Sequence, residues 1–172
     1  MRTLILGGAR SGKSALAERL AGASGLDVVY LATSTAGDAE MTARIAHHRS
    51  RRPAAWDLVE EPIALADALE RTARPGRCVL VDCLTLWLTN LLCAENKNLF
   101  TQQHGRLMEL LPSLPGELIL VSNEVGHGIV PLGELSRRFV DEAGRLHQAV
   151  ACACDRVVLT VAGLPLPLKG SL

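Results

Sequence analysis

Residues 7–14 read Gly7-Gly8-Ala9-Arg10-Ser11-Gly12-Lys13-Ser14, and no other stretch restricts the possible fold as strongly. The pattern Gly-x-x-x-x-Gly-Lys-Ser is a phosphate-binding loop, which belongs between a strand and a helix. Both neighbours fit. Thr3-Leu4-Ile5-Leu6 is a short apolar, β-rich run, and Ser14 to Leu20 carries helix formers with apolar positions at helical spacing. Each residue type has a physical task. Gly7, Gly8 and Gly12 lack a Cβ, so backbone N–H groups of the loop, Ala9, Arg10 and Ser11 included, can curl around phosphate oxygens. The helix opening near Lys13 points its positive end at those oxygens. Lys13 supplies a cation for the β- and γ-phosphates, and the Ser14 hydroxyl can ligate Mg²⁺. The same residues could in principle form a glycine-rich turn that binds nothing, but the strand-loop-helix context favours nucleotide binding.

A doubly covered parallel sheet is the expected frame. Beyond the first strand, 27–33, 77–82, 117–122 and 156–161 are nearly continuously apolar, as in parallel strands covered on both faces. Helical segments are expected near 38–52, 62–73, 101–111 and 134–153. The alternation predicts a three-layer α/β fold with a mostly parallel sheet and ligands at the carboxyl ends of the strands. Pro165 and Pro167 suit an edge strand or an extended arm rather than a central strand. At 172 residues, 48% of them apolar, the chain is expected to form one domain spanning 1–172.

Composition narrows the function. Formal net charge is zero, and there are only two Phe, two Trp and one Tyr, which argues against nucleic acid as a partner. No apolar stretch approaches the roughly 18 residues of a membrane span; 84–93 comes nearest. The first apolar run is too short for a secretory leader. The five cysteines form no Cys-x-x-Cys pair and read as reduced packing residues of a cytoplasmic protein.

Four further stretches are candidates for chemistry. Asp82 closes an apolar strand, where a Mg²⁺-holding acid belongs; an Asp there can also cap a helix, but the upstream phosphate loop favours the metal. In 38–53, Arg44, His47, His48, Arg51 and Arg52 fall at i, i+3, i+4, i+7 and i+8. On a helix these residues share one side. Such a face is commonly only solvated, yet a neutral imidazole can attack phosphorus while arginines hold the developing charge. Glu60 and Glu61 precede Pro62 and can cap the next helix or hold a ribose or a base edge. The loop Ser122-Asn123-Glu124-Val125-Gly126-His127-Gly128 follows the fourth strand, so Asn123 and Glu124 can reach a γ-phosphate, a water or a substrate hydroxyl. His127 receives no role. In the last helix Phe139, Ala143, Leu146 and Val150 form an apolar stripe, Asp141 can pair with Arg145, and His147 is expected at the surface or an interface.

Together these motifs resemble the bifunctional adenosylcobinamide kinase/adenosylcobinamide-phosphate guanylyltransferase family of cobalamin biosynthesis. The resemblance rests on 7–14, Tyr30-Leu31-Ala32-Thr33, Arg44 to Arg49 with Arg52-Pro53, and Val81-Asp82-Cys83-Leu84-Thr85. It continues through Thr89-Asn90-Leu91-Leu92, Asn123-Glu124-Val125-Gly126, Gly128-Ile129-Val130-Pro131 and 138–148. It covers nearly the whole chain. The His-His segment and the Asn-Glu-Val-Gly loop are its specific parts, whereas the phosphate loop alone is generic.

The resemblance implies a P-loop NTPase fold of RecA-like type and a homotrimer in the cytoplasm. It implies that ATP or GTP phosphorylates adenosylcobinamide. GTP then guanylylates a histidine, and GMP passes to adenosylcobinamide phosphate to give adenosylcobinamide-GDP. By position His48 is the nucleophile, with His47 the runner-up, and Lys13 is catalytic. Thr33 and Ser34 would line the nucleotide site, Arg49, Ser50, Arg51 and Arg52 would flank the modified histidine, and Glu60 or Glu61 would contact guanine. Ser14 and Asp82 would hold Mg²⁺. Two other readings fit the phosphate loop alone: a single-activity small-molecule kinase, and a RecA-like nucleotide-dependent binding module.

Overall fold

The structure, a computed structural model, describes residues 1–34 and 53–172. The helix expected near 38–52 lies outside the described residues, with His47, His48, Arg49, Ser50, Arg51 and Arg52.

Among the described residues, seven strands form one sheet in the order β3-β2-β4-β5-β1-β6-β7. They are β1 (Arg2–Gly7), β2 (Asp27–Ala32), β3 (Asp57–Glu60), β4 (Arg77–Asp82), β5 (Glu117–Asn123), β6 (Arg156–Val161) and β7 (Leu164–Lys169). All neighbours pair in parallel except β6 and β7, which form an antiparallel hairpin. The apolar runs of β1, β4 and β5 are buried along their length because helices cover both sides.

Alternation along each strand sends side chains to two separate cores. Leu4, Val29, Val79, Val81, Leu118 and Leu120 face one core, which four helices cover. These are α2 (Leu65–Thr72), α3 (Leu84–Leu92), α4 (Leu99–Leu110) and α5 (Glu134–Ala153). Ile5, Tyr30, Leu80, Ile119 and Val121 face the other, against Leu16, Ala17 and Ala21 of α1 (Lys13–Ala23). The result is the three-layer α/β fold that the alternating pattern predicts.

The strands expected at 77–82 and 156–161, and the helix at 134–153, have the bounds the sequence suggests. Two elements have no counterpart in the sequence reading. β3 is four residues long, lies at a sheet edge and half-buries only Val59, so it leaves no apolar run to detect. α3 lies in the stretch noted above only as too short to span a membrane. Trp87, Leu88 and Leu91 are buried on it, and the Trp87 indole N–H donates to Ile63 O at 2.8 Å. β7 is an edge strand, which lets Pro165 and Pro167 sit in a sheet at all. Among the described residues no helix is long and apolar enough to cross a membrane.

Two expectations need correction. Cys78, Cys83 and Cys154 are buried packing residues, but Cys93 and Cys152 are exposed; all five are free thiols. Arg145 pairs with Glu142 at 2.8 Å, not with Asp141, because the i, i+3 partner is the nearer one.

Candidate active site

Connections leave β1 and β5 over opposite faces of the sheet. β1 feeds α1 on one side, and its neighbour β5 feeds α5 on the other. Such a switch point opens a crevice at the carboxyl ends of the two strands, where ligands of α/β sheets bind. The phosphate loop and the Asn123-Glu124 segment flank it, and Gly7 pairs with Asn123 in register.

The loop is shaped by close approaches that only glycine permits. A Cβ on Gly7 would lie 2.4 Å from Ser11 Oγ and 2.7 Å from Thr160 O. Gly12 takes φ +95°, and a Cβ there would meet Gly163 Cα at 3.1 Å. The hairpin tip between β6 and β7 braces the loop from outside: Gly163 N–H donates to Ser11 O at 2.8 Å. Across the crevice, Glu124 N–H donates to Gly7 O at 3.0 Å. Ser11 N–H closes the turn onto Gly8 O at 3.3 Å.

Lys13 opens α1 and folds back, its ammonium donating to Gly8 O at 3.1 Å. Burial lowers its pKa, and the nearby Asp82 carboxylate opposes that shift. Asp82 shares a sheet face with α1, and its Oδ2 accepts from Tyr30 Oη at 2.9 Å. Ser14 and Asp82 offer hard oxygen donors, the type Mg²⁺ takes alongside phosphate and water. Among the described residues no group of three His, Cys, Asp or Glu gathers.

The other expected residues lie in varied settings. Thr33 is buried, and its hydroxyl donates to Cys83 O at 2.7 Å while accepting from Cys83 N–H at 2.9 Å. It locks the end of β2 to the turn after Asp82. Ser34 follows it, half-buried. Glu61 takes the capping option: its Oε1 accepts from Ile63 N–H at 3.1 Å and Ala64 N–H at 2.8 Å ahead of α2. Glu60 is exposed at the end of β3.

Three participants went unassigned in the sequence. Asn90 donates through Nδ2 to Thr33 O at 2.8 Å and Pro62 O at 3.0 Å, tying α3 to the ends of β2 and β3. Thr85 Oγ1 accepts from Asn123 Nδ2 at 3.2 Å. His147, expected at the surface or an interface, is buried within the chain: its Nε2 lies 2.7 Å from Ser122 Oγ and its Nδ1 3.6 Å from Glu124 Oε2. The correction has a simple cause. Ala143, Leu146 and Val150 define the buried face of α5, and position 147 lies beside that stripe. Burial lowers the His147 pKa against the opposing pull of Glu124, so the ring is neutral at pH 7.

Comparison with known proteins agrees with this geometry. Residues 3–168 match the family described as cobinamide kinase / cobinamide phosphate guanyltransferase. The chain is 65% identical over 170 residues to the bifunctional adenosylcobalamin biosynthesis protein CobP of Pseudomonas aeruginosa, covering 99% of this chain and 98% of the relative. It is 39% identical over 182 residues to the bifunctional adenosylcobalamin biosynthesis protein CobU of Escherichia coli, covering 98% and 100%. Among solved structures, the RadB recombinase superposes with a TM-score of 0.50 at 18% identity, covering 92% of this chain and 73% of that one. The type III secretion ATPase EscN of enteropathogenic E. coli gives 0.55 at 12% identity, covering 94% and 43%. These likenesses show a RecA-like P-loop fold.

Proposed function

The chain belongs to the cobinamide kinase / cobinamide phosphate guanyltransferase family, and from that premise we propose how its two transfers share one crevice. The protein is a bifunctional kinase and guanylyltransferase of cobalamin biosynthesis. In the first transfer the acceptor is the hydroxyl on the aminopropanol arm of adenosylcobinamide, and ATP or GTP is the donor. In the second, an imidazole nitrogen of the His47–His48 pair attacks the α-phosphorus of GTP. The bond to pyrophosphate breaks, leaving GMP on the ring. The phosphate of adenosylcobinamide phosphate then attacks the same phosphorus and releases the imidazole, giving adenosylcobinamide-GDP. By position His48 is the first candidate and His47 the second; both lie outside the described residues.

The observation that carries this reading is the glycine cradle at the switch point. A triphosphate laid over Gly7 to Ser14 meets the N-terminus of α1 and the Lys13 ammonium. Bound phosphates would add anionic partners to the buried Lys13 ammonium in water-poor surroundings. Mg²⁺ held by Ser14 and Asp82 would neutralise charge on the β- and γ-oxygens. Arg49, Arg51 and Arg52, beside the histidine pair in sequence, would hold the charge of the departing pyrophosphate, with Ser50 between them. Thr33, Ser34, Glu60 and Glu61 would border the nucleoside. A histidine carrier has a physical advantage: the phosphoramidate keeps a high transfer potential, so one difficult displacement becomes two easier ones. We also assign the protein to the cytoplasm and to a homotrimer acting as one 1–172 domain per chain, with no nucleic-acid or membrane partner.

Incubation with GTP labelled in the α-phosphate and Mg²⁺, followed by denaturation, tests the carrier. Acid-labile label on the protein, lost in one of His48→Ala and His47→Ala, supports the scheme and names the ring. Active protein that never carries label rules out the covalent step, and with it the pairing of both transfers in this form.

A further inference from the structure

We propose that Glu124 takes the proton of the acceptor hydroxyl during phosphoryl transfer, and that His147 is the positioning residue that aims it. The inference rests on the bifunctional reading above. Three groups separated in sequence converge to make the arrangement. Glu124 follows the last residue of β5, and its backbone N–H is tied to Gly7 O, the first residue of the phosphate loop. Its side chain is mostly covered, at 21% exposure. Oε1 accepts from Gly126 N–H at 2.7 Å, which curls the turn around the carboxylate. Oε2 faces His147 Nδ1 at 3.6 Å, an electrostatic contact longer than a hydrogen bond.

The electrostatic contact with Glu124 favours one tautomer of His147. A carboxylate only accepts, so the ring proton belongs on Nδ1, facing Glu124. Nε2 is then the acceptor for the Ser122 hydroxyl at 2.7 Å. Ser122 is fully buried on β5, two residues before Glu124, and both lie against His147 of α5. The strand therefore holds both ends of the chain Ser122–His147–Glu124, and α5 supplies the middle. A buried polar network of this kind is held in one geometry because each broken contact leaves a desolvated group.

Geometry also separates this carboxylate from the others near the crevice. Asp82 lies on the α1 face and is bonded to Tyr30. Glu61 caps the turn before α2. Glu124 instead stands on the face covered by α3 and α5. Beside it, starting at Val125, opens a cavity of about 400 Å³ lined by Leu92, Val125, Pro131, Leu135, Phe139 and Val140. The donor's phosphates thus belong to one side of the switch point, and Glu124 adjoins, through its neighbour Val125, an apolar cavity on the other. In the step itself the acceptor oxygen bonds to the γ-phosphorus while its proton passes to a Glu124 oxygen. The bond from the γ-phosphorus to the bridging oxygen breaks, and its electrons leave with the nucleoside diphosphate.

The two transfers make the test internal. Self-guanylylation uses a neutral imidazole as nucleophile and needs no base, whereas phosphorylation of the hydroxyl does. In Glu124→Gln, kcat for phosphorylating adenosylcobinamide is expected to fall by about 100-fold or more, with the KM for nucleotide unchanged. Its rate of self-guanylylation from GTP is expected to fall far less than its phosphorylation kcat, and an unchanged thermal unfolding midpoint certifies the fold. His147→Ala is expected to lower the phosphorylation kcat about tenfold at unchanged nucleotide KM, and His147→Gln, which keeps an N–H donor, to recover most of it. Phosphorylation by Glu124→Gln near the wild-type rate overturns the proposal, and so does a proportional loss of both transfers. Wild-type protein that phosphorylates nothing refutes the bifunctional reading itself, and this inference falls with it.

Discussion

The Tyr30 hydroxyl donates to Oδ2 of Asp82 across 2.9 Å, joining β2 to the end of β4 on the face that carries α1. Removing the hydroxyl leaves the ring to pack as before, so Tyr30→Phe is expected to cost about 1 kcal/mol in stability. If Asp82 holds Mg²⁺ as proposed, the larger effect is expected on metal binding, because the carboxylate would no longer be fixed by Tyr30. The Mg²⁺ concentration for half-maximal phosphorylation rises several-fold in a titration of the variant. An unchanged midpoint contradicts a metal role for Asp82.

Adjacent glycines in the phosphate loop are not equivalent. A methyl group on Gly7 meets the Thr160 carbonyl at 2.7 Å, a backbone atom that cannot step aside, whereas one on Gly8 meets nothing within 4 Å. Gly7→Ala is therefore expected to weaken nucleotide binding at least tenfold, about 1.4 kcal/mol, and Gly8→Ala far less. Calorimetric titration with a non-hydrolysable triphosphate measures both. Equal losses mean that the strand-to-loop contact does not shape the cradle.

Cysteine reactivity follows burial. Desolvation pushes the Cys78 and Cys83 thiols up to about 11 and Cys154 to about 12, with neighbouring acids adding to the shift. At neutral pH these three remain thiols and are shielded, so alkylation of the native protein modifies Cys93 and Cys152 alone. Mass spectrometry counts two adducts in buffer and five in denaturant. A third native adduct locates an opening of the core.

His147 couples stability to pH. Its folded pKa is depressed below the ordinary 6.5 by burial, although Glu124 beside it pulls the other way. The unfolded chain therefore binds more protons than the folded one as pH drops below about 6.5. The stabilisation is fully present above that pH and is lost as pH falls towards the folded value, by at most about 1.4 kcal/mol per unit. Urea midpoints between pH 7 and 5 are expected to fall less steeply in His147→Gln than in wild type. Parallel slopes indicate that the ring titrates normally.

Much of the frame was legible because it is local. The apolar runs at 77–82 and 156–161 and the stripe along 134–153 carry their period in consecutive residues. β3 was invisible because a four-residue edge strand half-buries a single apolar side chain. The face of α5 that carries His147 was legible, but its depth was not, since that depends on how far the helix sinks onto β5. Glu61 shows the same limit: two acids before a proline allow a cap or a ligand contact, and only the coordinates show that Glu61 Oε1 accepts from Ile63 and Ala64 N–H.

By itself, the order of residues determined the phosphate loop, the alternation of strands and helices, and the family. Those signals arise from neighbours whose backbone preferences and burial period repeat over a few positions. Tertiary structure alone decided that Ser122 and His147, 25 residues apart, share a proton, and that Tyr30 and Asp82, 52 apart, share another. The brace from Gly163 to Ser11 belongs with them. Such contacts depend on strand order and on the face each connection crosses, which are fixed only when the whole sheet has assembled.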